Sequence, residues 1–428
     1  MKRYQKSEEL LARAEKTIPL GAQTFSKSRT QFPRGVSPYF AAKAQGAYIW
    51  DVDGNQYIDF MNSLAAVTLG FNDLDVTQAV REQLEIGNIF SMSHELEIKV
   101  AEKICEIVPC AEMVRFGKNG SDATSGAIRL ARAYTGREHV LVCGYHGWQD
   151  WYIGSTTRDG GVPQAVKDLT HKFAYNDIAS LEALFAQLDG KVAAVILEPV
   201  NVFAPVDNFL EKVKEVTHKH GAVLIFDETI TGFRYANGGA QEFFGVTPDV
   251  ATFGKGLANG YSVAAIAGKA EIMRVMEDIF FSFTFGGELL PLAASYATLC
   301  KLQNEPVIKT MRSTGQYLID NLNELIAEHE LGHIFSVSGY PVWSFLMIND
   351  FGKYTAAEFK TLFLQEMFGQ GIISLGTHNI SYSHTKADID TLMAAYRHYF
   401  GIIKTALANN NLHDHLQCET LVPLFKVR

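Results

Sequence analysis

One lysine in this chain is well placed for covalent chemistry, because it follows a short apolar strand and lies between two glycines. Val250–Phe253 is predicted to be a buried strand, and Lys255 follows it between Gly254 and Gly256. Glycines beside a charged residue let a ligand or a backbone segment approach closely. A half-buried lysine loses proton affinity and can form a Schiff base with a carbonyl group. Taken alone, the segment also fits an ordinary lysine in a glycine-rich loop.

A second candidate is an acidic residue at the end of another predicted strand. The apolar stretch 222–226 is followed by Asp227 and Glu228. Ligands of open α/β sheets bind at the carboxyl ends of strands. Asp227 could therefore meet a ligand cation or a protonated ring nitrogen, and a helix cap is the alternative interpretation of the same residue.

A third candidate is the turn between a predicted strand at 113–116 and a predicted helix at 121–134. Gly120 permits a tight turn there, and Ser121 is predicted to cap the helix. The first N–H groups of a helix, together with its dipole, form an anion site. An ordinary capped helix explains the same residues. The chain has neither GxGxxG nor a Walker A motif, which argues against dinucleotide and nucleoside triphosphate sites.

A fourth candidate is an aromatic turn after the predicted strand at 139–143. Tyr145 and His146 stand there, followed by Gly147 and Trp148. Aromatic side chains at the end of a strand can stack on a flat ligand, and they can equally belong to a core.

Alternation of strands and helices is what would bring these segments together. Apolar strands at 113–116, 139–143, 192–197 and 222–226 alternate with helical patterns, which predicts βα units around a mainly parallel sheet. Before them, Ser7 is predicted to cap a first helix, and Asp53-Gly54 to close a hairpin at 47–60. The prediction is an α/β fold with a large central domain (61–305) and a small α+β domain built from both termini (1–60 and 306–428).

Composition excludes several other classes of protein. The 428 residues carry a net charge of −9, which argues against a nucleic-acid-binding surface. Five scattered cysteines without a CxxC or Cys/His cluster indicate neither a disulfide framework nor a zinc site, and we expect no metal. The N-terminus lacks an apolar signal core and no apolar run approaches membrane-spanning length, so we expect a cytoplasmic protein without a membrane partner.

Together the four candidates call for one ligand that is flat, anionic at one end, has a ring nitrogen that pairs with a carboxylate, and carries an aldehyde for a lysine. Pyridoxal 5'-phosphate (PLP) meets all of these demands.

The chain also resembles fold-type I PLP enzymes of the class-III aminotransferase subgroup that contains glutamate-1-semialdehyde aminomutase. The resemblance runs from about Ala47 to Glu271. Its motifs lie at 48–60, 113–116, 129–137, 145–148, 196–200, 226–234 and 252–256.

This resemblance implies roles for individual residues. Lys255 would hold PLP as a Schiff base and later move the substrate proton, while Asp227 would pair with the pyridinium nitrogen. The remaining expected positions are Gly120 and Ser121 at the phosphate, Tyr145 stacked on the ring, His146 beside it, and Glu198 near the site. Thr284 matches the position that reaches the partner subunit's phosphate in this family, which implies a homodimer with shared active sites.

The substrate-facing segments depart from the aminomutase pattern. The aminomutase has an arginine for the substrate carboxylate in its early segment, and Arg29 is a shifted candidate here. An acidic residue expected near the C-terminus is missing from 374–379, and the loop at 154–161 is short. We therefore expect a ping-pong aminotransferase that moves an amino group from a donor to a keto or aldehyde acceptor. An aminomutase is the first alternative, and a non-catalytic PLP-binding regulator is the second.

Overall fold

The structure is a computed structural model that describes residues 3–422, so residues 423–428 of the predicted C-terminal segment lie outside it. The strands are β1 (Ala41–Gln45), β2 (Tyr48–Asp51), β3 (Gln56–Asp59), β4 (Met113–Gly117), β5 (His139–Cys143), β6 (Thr170–Lys172), β7 (Val192–Leu197), β8 (Val223–Asp227), β9 (Val250–Phe253), β10 (Ala264–Gly268), β11 (Phe335–Tyr340), β12 (Trp343–Ile348), β13 (Ile372–Ile373) and β14 (Thr377–Asn379).

The helices are α1 (Gln5–Ala14), α2 (Asn62–Ala65), α3 (Leu74–Ile86), α4 (Glu95–Ile107), α5 (Gly120–Thr135), α6 (Asp150–Ile153), α7 (Gln164–Lys167), α8 (Ile178–Gln187), α9 (Phe209–Lys219), α10 (Ala240–Phe244), α11 (Ala270–Met273), α12 (Leu289–Asn304), α13 (Val307–Glu328), α14 (Ala356–Gly369) and α15 (Lys386–Asn409). Among the described residues, none of these helices has the length and apolar character that a membrane crossing requires.

The described chain forms two compact units. The sheet unit contains Ala65–Thr68 and Leu74–Ile308, and the terminal unit contains the described residues up to Leu64, Leu69–Asp73 and those from Lys309 onward.

The sheet unit is built on a seven-stranded sheet in the order β4-β10-β9-β8-β7-β5-β6. Neighbours from β6 to β9 run parallel, and β10 runs antiparallel to both β9 and β4. Every residue of β7 and β8 is buried, as expected for strands covered on both faces. Helix α5 packs on this sheet through Ala123, Ala127 and Leu130. The predicted α/β fold with a mainly parallel sheet is confirmed.

The terminal unit contains two small sheets, in the orders β1-β2-β3-β13 and β11-β12-β14. The predicted hairpin is present, because Tyr48 pairs with Ile58 and Trp50 with Gln56. Strand β1 was not predicted.

The prediction that Ser7 caps the first helix is wrong. The N-cap is Tyr4, and Ser7 lies inside α1 with a buried side chain. Asp53 in the hairpin turn instead accepts hydrogen bonds from the N–H groups of Lys6 at 2.7 Å and Ser7 at 2.9 Å. A carboxylate from a distant segment therefore satisfies the first N–H groups of this helix.

Candidate active site

The candidate residues of the sheet unit follow strands that end at one edge of the sheet. Strands β5, β7, β8 and β9 are parallel, and β4 shares their direction because β10 runs opposite to both β4 and β9. Four of the predicted residues follow these strands, and Asp227 is the last residue of β8; the four are Gly120, Tyr145, Glu198 and Lys255. The topology thus gathers them at the edge where α/β proteins bind ligands.

Asp227 is a buried carboxylate whose two oxygens have different surroundings. Thr229 donates to Oδ1 from its backbone N–H at 3.1 Å and from its hydroxyl at 2.6 Å, and the Thr252 hydroxyl donates at 3.2 Å. Oδ2 lies 2.8 Å from Nδ1 of His146. Burial raises the pKa of Asp227, but the hydrogen bonds from His146 and Thr229 and the charge of His146 bring it below its usual value. Asp227 is therefore held as an anion.

His146 is fixed by acceptors on both of its ring nitrogens. Nε2 lies 3.1 Å from the carbonyl oxygen of Cys143, and Nδ1 faces the Asp227 carboxylate. A carbonyl oxygen and an ionised carboxylate both accept hydrogen bonds, so each ring nitrogen of His146 faces an acceptor. His146 thus links the end of β5, at Cys143, to the Asp227 carboxylate at the end of β8.

The turn at the start of α5 has the geometry of an anion site, with a different cap from the one predicted. The N-cap is Asn119, so Ser121 is not the cap and lies inside the helix. Asp122 accepts hydrogen bonds from the N–H groups of Lys118 at 3.2 Å and Asn119 at 2.7 Å. The N–H groups of Gly120 and Ser121 are the first two of α5 and have no acceptor within the helix. A helix N-terminus of this kind binds phosphate.

Lys255 begins a short 3₁₀ helix directly after β9, with a φ of 45°. A lysine rarely adopts this left-handed conformation, and such strain is found disproportionately at functional sites. Its neighbour Gly254 lies against the turn from Asn119 to Ser121 at the start of α5, which we call the phosphate turn. A Cβ built on Gly254 would be 3.8 Å from the backbone nitrogen of Gly120 in this turn. Lys255 is thereby attached next to the candidate anion site.

Tyr145 and Glu198 are joined by a hydrogen bond between two strand ends. Glu198 is 5% exposed, and its Oε2 accepts from the Tyr145 N–H at 3.0 Å. The Tyr145 ring meets Tyr152 edge to face, with 5.6 Å between centroids. Gly147 in the same turn has a φ of 105°, and a Cβ there would lie 2.6 Å from Cβ of Ser121. Only glycine fits this close approach of the aromatic turn to the phosphate turn.

Two predicted residues lie outside this group. Thr284 is exposed in a turn before α12. Arg29 belongs to the terminal unit, where its Nε lies 3.2 Å from Oε1 of Glu15. The roles of Thr284 at a phosphate and of Arg29 at a substrate stay predictions.

Two residues of the site were missed by the sequence analysis. Thr229 and Thr252 both donate hydrogen bonds to Asp227. The local signal for Thr229 was its position two residues after an aspartate, where a hydroxyl and an N–H commonly return to the carboxylate. Thr252 had no such signal, because it comes from the neighbouring strand.

These residues fit PLP. Nδ1 of His146 uses one acceptor direction of Asp227 Oδ2, and a carboxylate oxygen has two lone pairs, so Oδ2 can still accept from a ring N–H. The α5 N-terminus suits a dianionic phosphate, and Lys255 supplies the amine for an aldehyde. When bound, PLP supplies an aldehyde for a Schiff base and a ring that accepts electrons from the substrate.

Comparison with known proteins agrees with this fit. The family described as "Aminotransferase class-III" matches residues 31–393. The chain is 32% identical to a 3-aminobutyryl-CoA aminotransferase of Cloacimonas acidaminovorans over 94% of this chain and 98% of that protein. It is 36% identical to a glutamate-1-semialdehyde 2,1-aminomutase of Syntrophomonas wolfei over 91% and 96%.

A solved structure extends the comparison to the cofactor. The FumI protein of Sphingopyxis sp. MTA144, in its PLP internal aldimine form, superposes with a TM-score of 0.88 at 27% identity, over 97% of this chain and 99% of that one. Sequence, fold and site chemistry therefore agree, and the chain belongs to the class-III aminotransferases, a family of PLP-dependent enzymes.

Proposed function

We propose that this PLP-dependent aminotransferase moves an amino group from an amino donor to a keto or aldehyde acceptor, with Lys255 and Asp227 as its catalytic residues. The observation that carries the proposal is the buried Asp227, which is held ionised and keeps an acceptor direction on Oδ2. Such a carboxylate stabilises a protonated ring nitrogen, and it follows a strand ending at the same sheet edge as Lys255.

The other residues of the site would bind the cofactor and orient it. The Gly120 and Ser121 N–H groups hold the phosphate, and Tyr145 covers one face of the ring. Glu198 fixes the Tyr145 backbone through its hydrogen bond to the Tyr145 N–H, and contact with the substrate is proposed for it as well. The amine of Lys255, released when the donor binds, would take the proton from the donor's α carbon and pass it to the cofactor. In the second half-reaction it would move a proton in the opposite direction, from the cofactor to the acceptor's carbon.

A homodimer is part of the proposal. The sheet unit exposes large apolar side chains that a second copy of the chain could cover: Leu74, Leu84, Ile86, Met92, Ile98, Phe280 and Phe285. Exposed apolar groups of this kind are typical of interaction surfaces. Thr284 stands beside Phe285 and is exposed, as a residue that reaches a partner subunit's phosphate must be. Sedimentation showing a monomer that keeps cofactor and activity would rule this out.

A cytoplasmic location is also proposed. All five cysteines are free, including buried Cys110 and Cys143, which suits a reducing compartment.

Net transamination between two substrates is favoured over aminomutation. An aminomutase must retain one molecule through both half-reactions, which requires a strong carboxylate clamp. The candidate clamp Arg29 is paired with Glu15, and the acidic residue of the aminomutase is missing from 374–379. The relatives nevertheless include aminomutases, so aminomutation is kept as the second candidate.

The deciding experiment follows each half-reaction separately. The purified holoenzyme is mixed with single donors, glutamate first, and with 3-aminobutyryl-CoA because a relative's name includes it. We expect accumulation of the pyridoxamine form of the cofactor together with a released keto product. If no donor converts the cofactor and glutamate-1-semialdehyde is isomerised efficiently, the aminomutase function replaces the aminotransferase function.

A further inference from the structure

Thr229 contacts both of the elements that would bind the two ends of a flat anionic ligand. On one side, its hydroxyl and its N–H donate to Oδ1 of Asp227 at 2.6 and 3.1 Å. With the Thr252 hydroxyl at 3.2 Å, three donors converge on this one oxygen. A carboxylate oxygen has two lone pairs, so Oδ1 has no capacity left for a ligand. A cationic ring nitrogen must therefore be received by Oδ2, beside His146.

On its other side, Thr229 supports the turn that begins α5. A Cβ built on Gly120 would lie 2.8 Å from Cγ2 of Thr229 and 3.1 Å from its Oγ1, so the threonine fills the space that a side chain at Gly120 would need. Its Cγ2 also lies 3.5 Å from a Cβ built on Gly254, next to Lys255. The hydroxyl of Thr229 therefore donates to Asp227, and its methyl group packs against the phosphate turn.

We propose that Thr229 is a positioning residue with two separable functions: its hydroxyl fixes Asp227 so that Oδ2 faces the ring nitrogen, and its methyl group fixes the phosphate turn. This inference deepens the proposed function and rests on it. Thr229 is half-buried and is not itself proposed to react. Because the two functions reside in different branches of one side chain, two conservative substitutions separate them.

Thr229→Val keeps the size and the branching of the side chain, and it replaces only the hydroxyl group by a methyl group. The hydrogen bonds of Asp227 contribute to its lowered pKa, so the folded-state pKa of this group should rise in the variant. Stability from Asp227 is present above its unfolded pKa and is lost as pH falls through the folded pKa. The free energy of unfolding of the apoenzyme should therefore increase less in the variant than in the wild type as pH rises from 2 to 7. The pH midpoint of the visible holoenzyme band should also move, by about one unit, while affinity for inorganic phosphate stays as in the wild type.

Thr229→Ser makes the opposite change, since it keeps the hydroxyl and removes the methyl group. Its acid stability profile and band midpoint should match the wild type, and its affinity for inorganic phosphate, measured by calorimetry on apoenzyme, should fall several-fold. Thr252→Val is the matched control. It removes a more distant donor from the same Asp227 oxygen, at a residue that lies farther from a Cβ built on Gly120 than Thr229 does. It should therefore shift the acid profile less and leave phosphate affinity unchanged.

The inference is overturned if Thr229→Val leaves both pH profiles unchanged, or if the Val and Ser variants lose the same properties to the same extent. Its failure is distinguishable from failure of the proposed function. A protein that never forms the visible band with PLP contradicts the aminotransferase function, whereas the apoenzyme acid profile still measures the Thr229–Asp227 contact.

Discussion

Asp227 in the sheet unit and Asp59 in the terminal unit are both buried, at 4% and 2% exposure, and their pKa values move in opposite directions. Asp227 has three donors on one oxygen and His146 on the other, and its pKa is lowered. Within residues 3–422, the Asp59 carboxylate accepts hydrogen bonds from the N–H groups of Met61 and Asn62 alone. Burial raises the pKa of Asp59 to about 6, although these two hydrogen bonds and the charge of Lys27 act to lower it.

The difference shows that burial alone does not predict the state of a carboxylate. Enough preorganised donors and a positive partner keep a buried carboxylate ionised, whereas two backbone donors do not overcome the loss of water. The surroundings of Asp59 fit this view. Four residues from Asn62 to Ala65 have positive φ, and the amide oxygen of Asn62 is buried without a hydrogen-bond partner in the described chain.

The largest expected effect on stability comes from removing the positive partner of Asp227. His146→Leu leaves a buried carboxylate unpaired, which should lower the free energy of unfolding at pH 7 by about 3–5 kcal/mol. The loss should shrink as pH falls and Asp227 takes up a proton. Chemical denaturation of the apoenzyme across pH measures this. A loss that is the same at every pH would mean that packing, not charge, explains it.

The next effect concerns turnover. Asp227→Ala removes the carboxylate that stabilises the ring proton, so the rate should fall at least roughly 10²-fold while some PLP is retained. Asp59→Asn serves as the comparison, because it removes a buried carboxylate that is given no role in the chemistry. Near-normal turnover of Asp227→Ala would refute the role of this residue.

How far the sequence predicts the molecule differs between its elements. Apolar strands β5, β7, β8 and β9 were predicted because buried parallel strands read as continuous apolar runs. Their order along the chain also placed Asp227 and Lys255 at strand ends. The cap supplied by Asp53 to α1 was not predictable in this way, since it joins segments far apart in sequence.

The candidate site shows the same limit. Residue type and local position indicated Lys255, Asp227 and the turn at Gly120. The contact of His146 with Asp227 and the donation from Thr252 depend on distances between strands, and no local pattern encodes these. The left-handed turn from Asn62 to Ala65 is likewise held by distant contacts, such as the hydrogen bond from Asn379 Nδ2 to the Met61 carbonyl at 2.7 Å.

A smaller effect, of opposite sign, is expected at Asp59. Its pKa is raised to about 6 from 3.8, so the native state binds more protons than the unfolded state between these values. The contribution of Asp59 to the stability of the wild type should therefore fall as pH rises from about 4 to 6, by up to about 3 kcal/mol. Asp59→Asn should remove this fall and be the more stable protein at pH 7. Parallel stability profiles for the two proteins would contradict the raised pKa.

The smallest effect on stability is expected at the exposed pair of Arg29 and Glu15. The two side chains are 48% and 25% exposed, so Arg29→Ala should change the free energy of unfolding by less than about 1 kcal/mol. If Arg29 binds a substrate carboxylate, the same variant should raise KM for a carboxylate donor with little change in kcat. Glu15→Gln is the matched control, because it breaks the pair and leaves the arginine. An unchanged KM for every donor would remove Arg29 from the site.

The central claim, that Lys255 is the residue that binds PLP, has a direct test. The holoenzyme is reduced with borohydride, digested and analysed by mass spectrometry. We predict loss of the visible absorbance band and a reduced pyridoxyl label on Lys255. A label on Lys118 or Lys269 instead, which pair with Glu288 and Asp249 in the structure, would contradict the account.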